Sequence, residues 1–163
     1  MNNNSKKAFS YQLEKQLKKY RSYAEMANAI GVPSSTLKSW ILNNRSPKLD
    51  SLDFVANRIG CFSYELLRYD EILNRDVNDN NSREIFVRNI NKIFIDNYCN
   101  KQLQKYKLLS NVISYDALIS YLRSENYRKP TLEVLDRIAD ELNMQTFMLI
   151  MGDFSYEKTN FEH

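Results

Sequence analysis

The chain is expected to be all-α, and three observations predict it. Only 3 Gly and 3 Pro are spread over 163 residues, too few for the tight turns that sheet folds consume. Hydrophobic residues make up 43% of the chain, enough to build a core rather than a disordered tail. Apolar residues also recur at intervals of three and four, which marks one face of a helix.

Taken in order, Met1–Ser5 is polar and reads as a disordered start. Phe9, Leu13, Leu17 and Tyr20 predict a first helix from Lys6 to Tyr20. Ser22 suits an N-cap, and Glu25 three residues on completes a capping box. The helix so opened carries Met26, Ala27 and Ile30 on one side, and Gly31 ends it in a left-handed conformation. Pro33 cannot continue that helix but can open the next, from Ser34 to Leu42, with Leu37 and Trp40 or Ile41 inward. Trp40 reads as core rather than as a base-stacking residue. Asn43 to Pro47 is a polar loop. Leu49, Leu52, Val55, Ala56 and Ile59 give a fourth helix, closed by Gly60. Ser63 is expected to cap a short fifth helix through Arg68. The Asn/Asp-rich stretch 74–82 reads as a linker or a fraying helix end. Beyond it, a long helix is predicted from Arg83 to Tyr98 on Ile85, Phe86, Ile90, Ile93 and Phe94.

Part of this pattern occurs twice. With a shift of 83, residues 45–67 align without a gap on 128–150, and 7 of 23 positions are identical: Arg45/Arg128, Pro47/Pro130, Leu49/Leu132, Leu52/Leu135, Asp53/Asp136, Ala56/Ala139 and Leu66/Leu149. The chain therefore reads as two copies of one helical unit. The boundaries expected are 6–70 for the first copy, 71–82 for a linker, 83–152 for the second copy and 153–163 for a flexible tail. Upstream of Arg128 the second copy has diverged, and its register needs an insertion near Glu125-Asn126.

Net charge is +3, but the basic excess lies in the first copy: residues 1–70 hold 11 Lys+Arg against 6 Asp+Glu, whereas residues 71–163 are slightly acidic. A basic face attracts phosphate by counterion release, which makes the first copy the better nucleic-acid candidate. Catalysis is not expected. The only histidine, His163, is the last residue. No glycine-rich phosphate loop, GxSxG, HExxH or metal-spaced His/Cys/Asp cluster occurs. No cofactor or metal is expected, and carboxylate pairs such as Asp140-Glu141 read as solvated charges on a helix face. Cys61 and Cys99 fit neither a zinc pattern nor a disulfide framework and read as buried free thiols. The start is polar with no apolar signal segment, and no apolar run is long enough to span a bilayer. A soluble cytoplasmic protein with no membrane partner is expected.

Ala27, the pair Gly31-Val32, the run Ser35-Thr36-Leu37, and Pro47 before Leu49 together resemble the lambda-repressor-like (Xre/Cro) helix-turn-helix family over about Ala8 to Arg68. The resemblance implies two small helix-turn-helix domains in tandem, the second diverged. It implies double-stranded DNA as partner, with the second helix of the motif in the major groove. Base edges would be read by Ser34, Ser35, Lys38 and Ser39. A lysine donates to guanine O6 or N7, and serines donate or accept. Phosphates would be met by Tyr23, Asn43, Asn44, Arg45 and Lys48. The family usually has Gln where Tyr23 stands and a Ser or Thr cap where Pro33 stands. In the second copy the corresponding helix is placed near Ser114 to Ser124, with Tyr115, Asp116, Ser120, Tyr121 and Arg123 as its reader set. Asp116 at the tip would repel phosphate, and a protein contact is the favoured role for that copy.

The function expected is that of a sequence-specific transcriptional regulator, a repressor of a phage or other mobile element. It would act as a homodimer or as an intrachain pseudo-dimer. The competing expectation is an interaction protein that keeps the fold but binds a protein partner through residues 83–152, as an inhibitor of host defence (anti-CRISPR-like) would.

Overall fold

The computed structural model describes residues 3–73, 75–98, 107–125 and 127–152. Its helices are α1 (Ser5–Leu17), α2 (Tyr23–Ile30), α3 (Ser34–Ile41), α4 (Leu49–Ile59), a 3-10 turn (Ser63–Leu67), α5 (Ser82–Tyr98), α6 (Tyr115–Leu122), α7 (Leu132–Glu141) and a second 3-10 turn (Thr146–Ile150). Among the described residues there is no β-strand, only one isolated antiparallel bridge between Lys48 and Thr131. The architecture is therefore all-helical. One continuous core runs through it, from Phe9, Leu37 and Trp40 to Phe86, Leu118, Leu135 and Leu149.

Local sequence explains most element ends. Ser22 Oγ accepts the Glu25 N–H at 3.1 Å. The Glu25 carboxylate returns the favour one residue early, taking the Arg21 N–H at 2.6 Å rather than that of Ser22. Gly31 and Gly60 both adopt left-handed backbone, φ 84° and 80°, and close α2 and α4 as C-caps. At Gly60 a second constraint applies, because an added Cβ would lie 2.5 Å from the carbonyl oxygen of Arg75. Its counterpart under the shift of 83, Asn143, takes the same conformation at φ 50°. Asparagine is the residue that most readily replaces glycine there. Matched N–H groups then close both ends: Cys61 N–H reaches Ala56 O at 3.1 Å, and Met144 N–H reaches Ala139 O at 2.9 Å.

The two halves are tied by contacts that repeat in pairs. Leu49 N–H donates to Pro130 O, and Leu132 N–H donates to Pro47 O, both at 3.3 Å. Equivalent residues thus exchange bonds across the Lys48–Thr131 bridge, which places an approximate two-fold axis there. The two 3-10 turns also pack on each other, a second contact between equivalent segments.

Reciprocal arms complete the symmetry. The segment Asn3-Asn4-Ser5 reaches into the second half, and the segment Asn80-Asn81-Ser82, which leads into α5, lies on the first. Asn3 Oδ1 accepts Thr146 N–H at 3.2 Å, and Asn80 Oδ1 accepts Ser63 N–H at 2.9 Å. The Asn3 amide donates to Asp140 Oδ1 and Met144 O, at 2.9 and 2.8 Å. That of Asn80 donates to Asn57 Oδ1 and Cys61 O, at 2.7 and 2.8 Å. Ser5 N–H donates to Asp136 Oδ2, and Ser82 N–H to Asp53 Oδ2, each at 2.9 Å. Thr146 and Ser63 hydroxyls donate to the same two aspartates. The identity Asp53/Asp136 is thereby explained: each carboxylate receives the opening N–H of a long helix, where a negative charge is favourable.

Several expectations are corrected by these contacts. Asn3 to Ser5 is an anchored arm, not a disordered start. The first helix ends at Leu17, and Tyr20 closes a turn on Leu17 O. Ser63 is not a cap: Phe62 holds that position, and the Ser63 hydroxyl serves Asp53. Residues 75–81 are non-helical, so no fraying helix end precedes Ser82. Asp140 is bonded to the arm rather than merely solvated. The expectations for Cys99 and for 153–163 lie outside the described residues.

At the surface between the halves, Lys129 Nζ pairs with Asp50 Oδ2 at 2.6 Å and Lys6 Nζ with Glu133 Oε1 at 3.1 Å. Partial burial raises the Asp50 carboxyl, but the Lys129 ammonium outweighs it and holds the group below its ordinary value. Cys61 is fully buried, and burial, helped by the Glu65 carboxylate, pushes its thiol up to about 12. It is a packing residue, not a reactive one.

Candidate nucleic-acid interface

The site begins with how α3 is held. Leu37, Trp40 and Ile41 are buried on one side. The Trp40 ring meets Phe9 edge-on with centroids 5.7 Å apart, and the Ser10 hydroxyl donates to Ile41 O. As expected, Trp40 is core and not available to a base. The entry turn is fixed by Gly31 and Val32, whose N–H groups both reach Ala27 O, at 2.8 and 3.0 Å.

Residues at i, i+1 and i+4 from the start of α3 must then point outward. Ser34, Ser35 and Lys38 are exposed, and Ser39 is half-buried. Pro33 is the N-cap and provides no side-chain acceptor; the Thr36 N–H closes on Pro33 O at 3.0 Å, and a helix start of this kind favours negative charge nearby. Lys38 forms no ion pair with a described residue.

Beyond α3, Asn43 takes φ 59° and its N–H reaches Trp40 O at 3.0 Å. Its first duty is to end the helix in left-handed backbone, although its buried Oδ1 has no partner. Asn44, Arg45 and Lys48 are exposed, and Tyr23, the first residue of α2, is half-buried. Arg45 is also the first residue of the repeated stretch. Its guanidinium makes no hydrogen bond or ion pair with a described residue. The structure thus groups Ser34, Ser35 and Lys38 on one face and sets Asn44, Arg45 and Lys48 on the following loop, with Ser39, Asn43 and Tyr23 partly withdrawn.

In the second half, the helix placed near Ser114 to Ser124 is α6. Ser114 caps α6 by accepting the Ala117 N–H at 3.3 Å, and Leu118 takes the fully buried place that Leu37 holds in α3. The preceding turn manages without glycine because it is built differently. Val112 and Ile113 N–H groups both close on Leu109 O, and no residue of that turn has positive φ. Tyr115, Asp116 and Arg123 are exposed, whereas Ser120 and Tyr121 are half-buried. The Ser120 hydroxyl is spent on Ala117 O at 2.8 Å. The Arg83 guanidinium, stacked on Tyr127 at 3.8 Å, donates to the carbonyls of Tyr121 and Arg123. Asp116 lies in the first turn of α6, where a carboxylate stabilises the helix whatever else it does.

Arg128, which the repeat pairs with Arg45, is exposed, and its guanidinium, like that of Arg45, makes no hydrogen bond or ion pair with a described residue. Among the described residues, no group of three or more His, Cys, Asp or Glu is placed to hold a metal ion, and no helix is long and apolar enough to cross a membrane. Comparison with known proteins matched no family model, no curated protein and no solved structure.

Proposed function

We propose that the chain is a sequence-specific double-stranded DNA-binding transcriptional regulator, a repressor, that lays α3 in the major groove. One observation carries the reading: the buried trio Leu37, Trp40 and Ile41 fixes α3 so that Ser34, Ser35 and Lys38 stand together in solvent. A rigid helix with short polar side chains at its opening can approach base edges closely, and Lys38 can donate to guanine. Asn44, Arg45 and Lys48 then supply phosphate contacts that set register. On this reading α2 and α3 form a lambda-repressor-like helix-turn-helix, and α6 is the matching helix of a second, diverged copy.

The test is selection of bound duplexes from a random pool, run with wild type and Lys38→Ala. Wild type is expected to enrich a motif. Lys38→Ala should lose preference at one position, worth about 1–3 kcal/mol, while keeping its salt-sensitive background binding. The outward face of α6, with Tyr115 and Asp116 ahead of its first basic residue Arg123, favours a second reading in which that half grips a protein. No enrichment at low salt would sink the regulator and leave the protein-binding reading.

A further inference from the structure

We infer that the DNA-bound unit is one chain, straddling a single duplex across its own two-fold axis, with Arg45 and Arg128 as matched phosphate contacts on either side. The inference rests on the DNA-binding reading and adds the stoichiometry and a contact residue to it.

The recurrence of this arginine needs a cause. Neither guanidinium bonds to a described residue, so no hydrogen bond or ion pair among those residues accounts for the identity. Both side chains are exposed, and each precedes its partner in the Lys48–Thr131 bridge by three positions. Three residues of chain reach at most about 11 Å, so both arginines are confined to the neighbourhood of the axis. They differ from the buried pair Leu49/Leu132 and from Asp53/Asp136, whose carboxylates hold the arms. A ligand of matching symmetry can use such an exposed pair, and duplex DNA presents its phosphates with two-fold symmetry.

The local charge agrees. With Lys129 and Asp50 cancelling as one ion pair and Lys6 and Glu133 as another, the two loops and the bridge keep Arg45, Lys48, Arg123 and Arg128 against Glu125. The axis region is thus a basic patch built from both halves. The intrachain arms supply the pairing that a small helix-turn-helix protein otherwise obtains from a second copy, and α6 comes to the DNA by the same axis as α3.

The experiment uses the full chain and a mixed-sequence duplex of about 20 base pairs, long enough for two half-sites. Affinity is measured by fluorescence anisotropy over a series of salt concentrations, and the mass of the saturated complex by light scattering. One chain per duplex is expected. Arg45→Ala and Arg128→Ala should each lower the slope of log affinity against log salt by about 1, equally, and the double variant by about 2. Arg137→Ala, an exposed arginine on α7, is the control and should leave the slope unchanged; circular dichroism checks that all variants fold. A lowered slope for Arg45→Ala with none for Arg128→Ala would overturn the inference while leaving DNA binding intact, as would two chains per duplex. Failure of wild type to bind at low salt would overturn the DNA reading itself, and this inference with it.

Discussion

Truncating Phe86 to alanine is expected to lower the stability of the chain by about 3–5 kcal/mol, the range for deleting a buried aromatic ring, and to melt both halves in one transition. Phe86 is fully buried in the first turns of α5. That helix packs on α4 of the first half and on the 3-10 turn of the second. α1 does the converse, packing on the first 3-10 turn and on α7. Neither long helix belongs to one half alone, so a loss at Phe86 is felt across the axis. Small domains are stable by only about 5–15 kcal/mol, which makes the loss a large fraction of the total. Urea and thermal unfolding followed by circular dichroism would check it. Two separated transitions, with the first half surviving, would contradict the single shared core.

Asp53→Ala and Asp136→Ala are expected to destabilise by about 1–3 kcal/mol each, the cost of leaving a buried donor without its acceptor. Ser82 and Ser5 are 1% and 4% exposed, so water cannot easily replace the carboxylate. The Ser82 N–H and the Ser63 and Ser82 hydroxyls lose their acceptor in one variant, and the Ser5 N–H and the Thr146 hydroxyl in the other. Asp50→Ala is the contrast. Its pair with Lys129 is half in solvent, where such bridges contribute about 0.2–1 kcal/mol. Losses at both Asp53 and Asp136 well above that of Asp50, with Asp53 the larger because it accepts one bond more, are the expected pattern in denaturant titrations. A loss at either aspartate no larger than at Asp50 would mean that the arms are not docked.

The helices themselves were legible because their signals are local. Ser22 with Glu25, Gly31, Pro33 and Gly60 each act within four residues, and each stands at an element end as expected. The face of Ser34, Ser35 and Lys38 follows from the period of α3 alone. The arms were not legible in the same way, because what gives Asn3 and Asn80 their role lies across the axis, on Thr146 and Ser63. A trace existed. Asn3-Asn4-Ser5 and Asn80-Asn81-Ser82 are the same tripeptide, each followed four residues on by a buried phenylalanine, Phe9 and Phe86. The spacing there is 77 rather than 83, so an alignment at one fixed shift passes over it. Asp140 was misjudged for the same reason, since its partner Asn3 is remote in sequence. The half-burial of Ser120 and Tyr121 was also beyond reach, because it depends on which face of α6 the rest of the second half covers.

The most direct test of the account is a titration of the isotopically labelled chain with duplex DNA, followed by amide chemical shifts in two-dimensional NMR. The account predicts that the largest perturbations fall on Ser34, Ser35 and Lys38, on the loop Asn44 to Lys48 and at Arg128, with helices α1 and α5 little changed. Perturbations that avoid α3, or none at low salt, would contradict it.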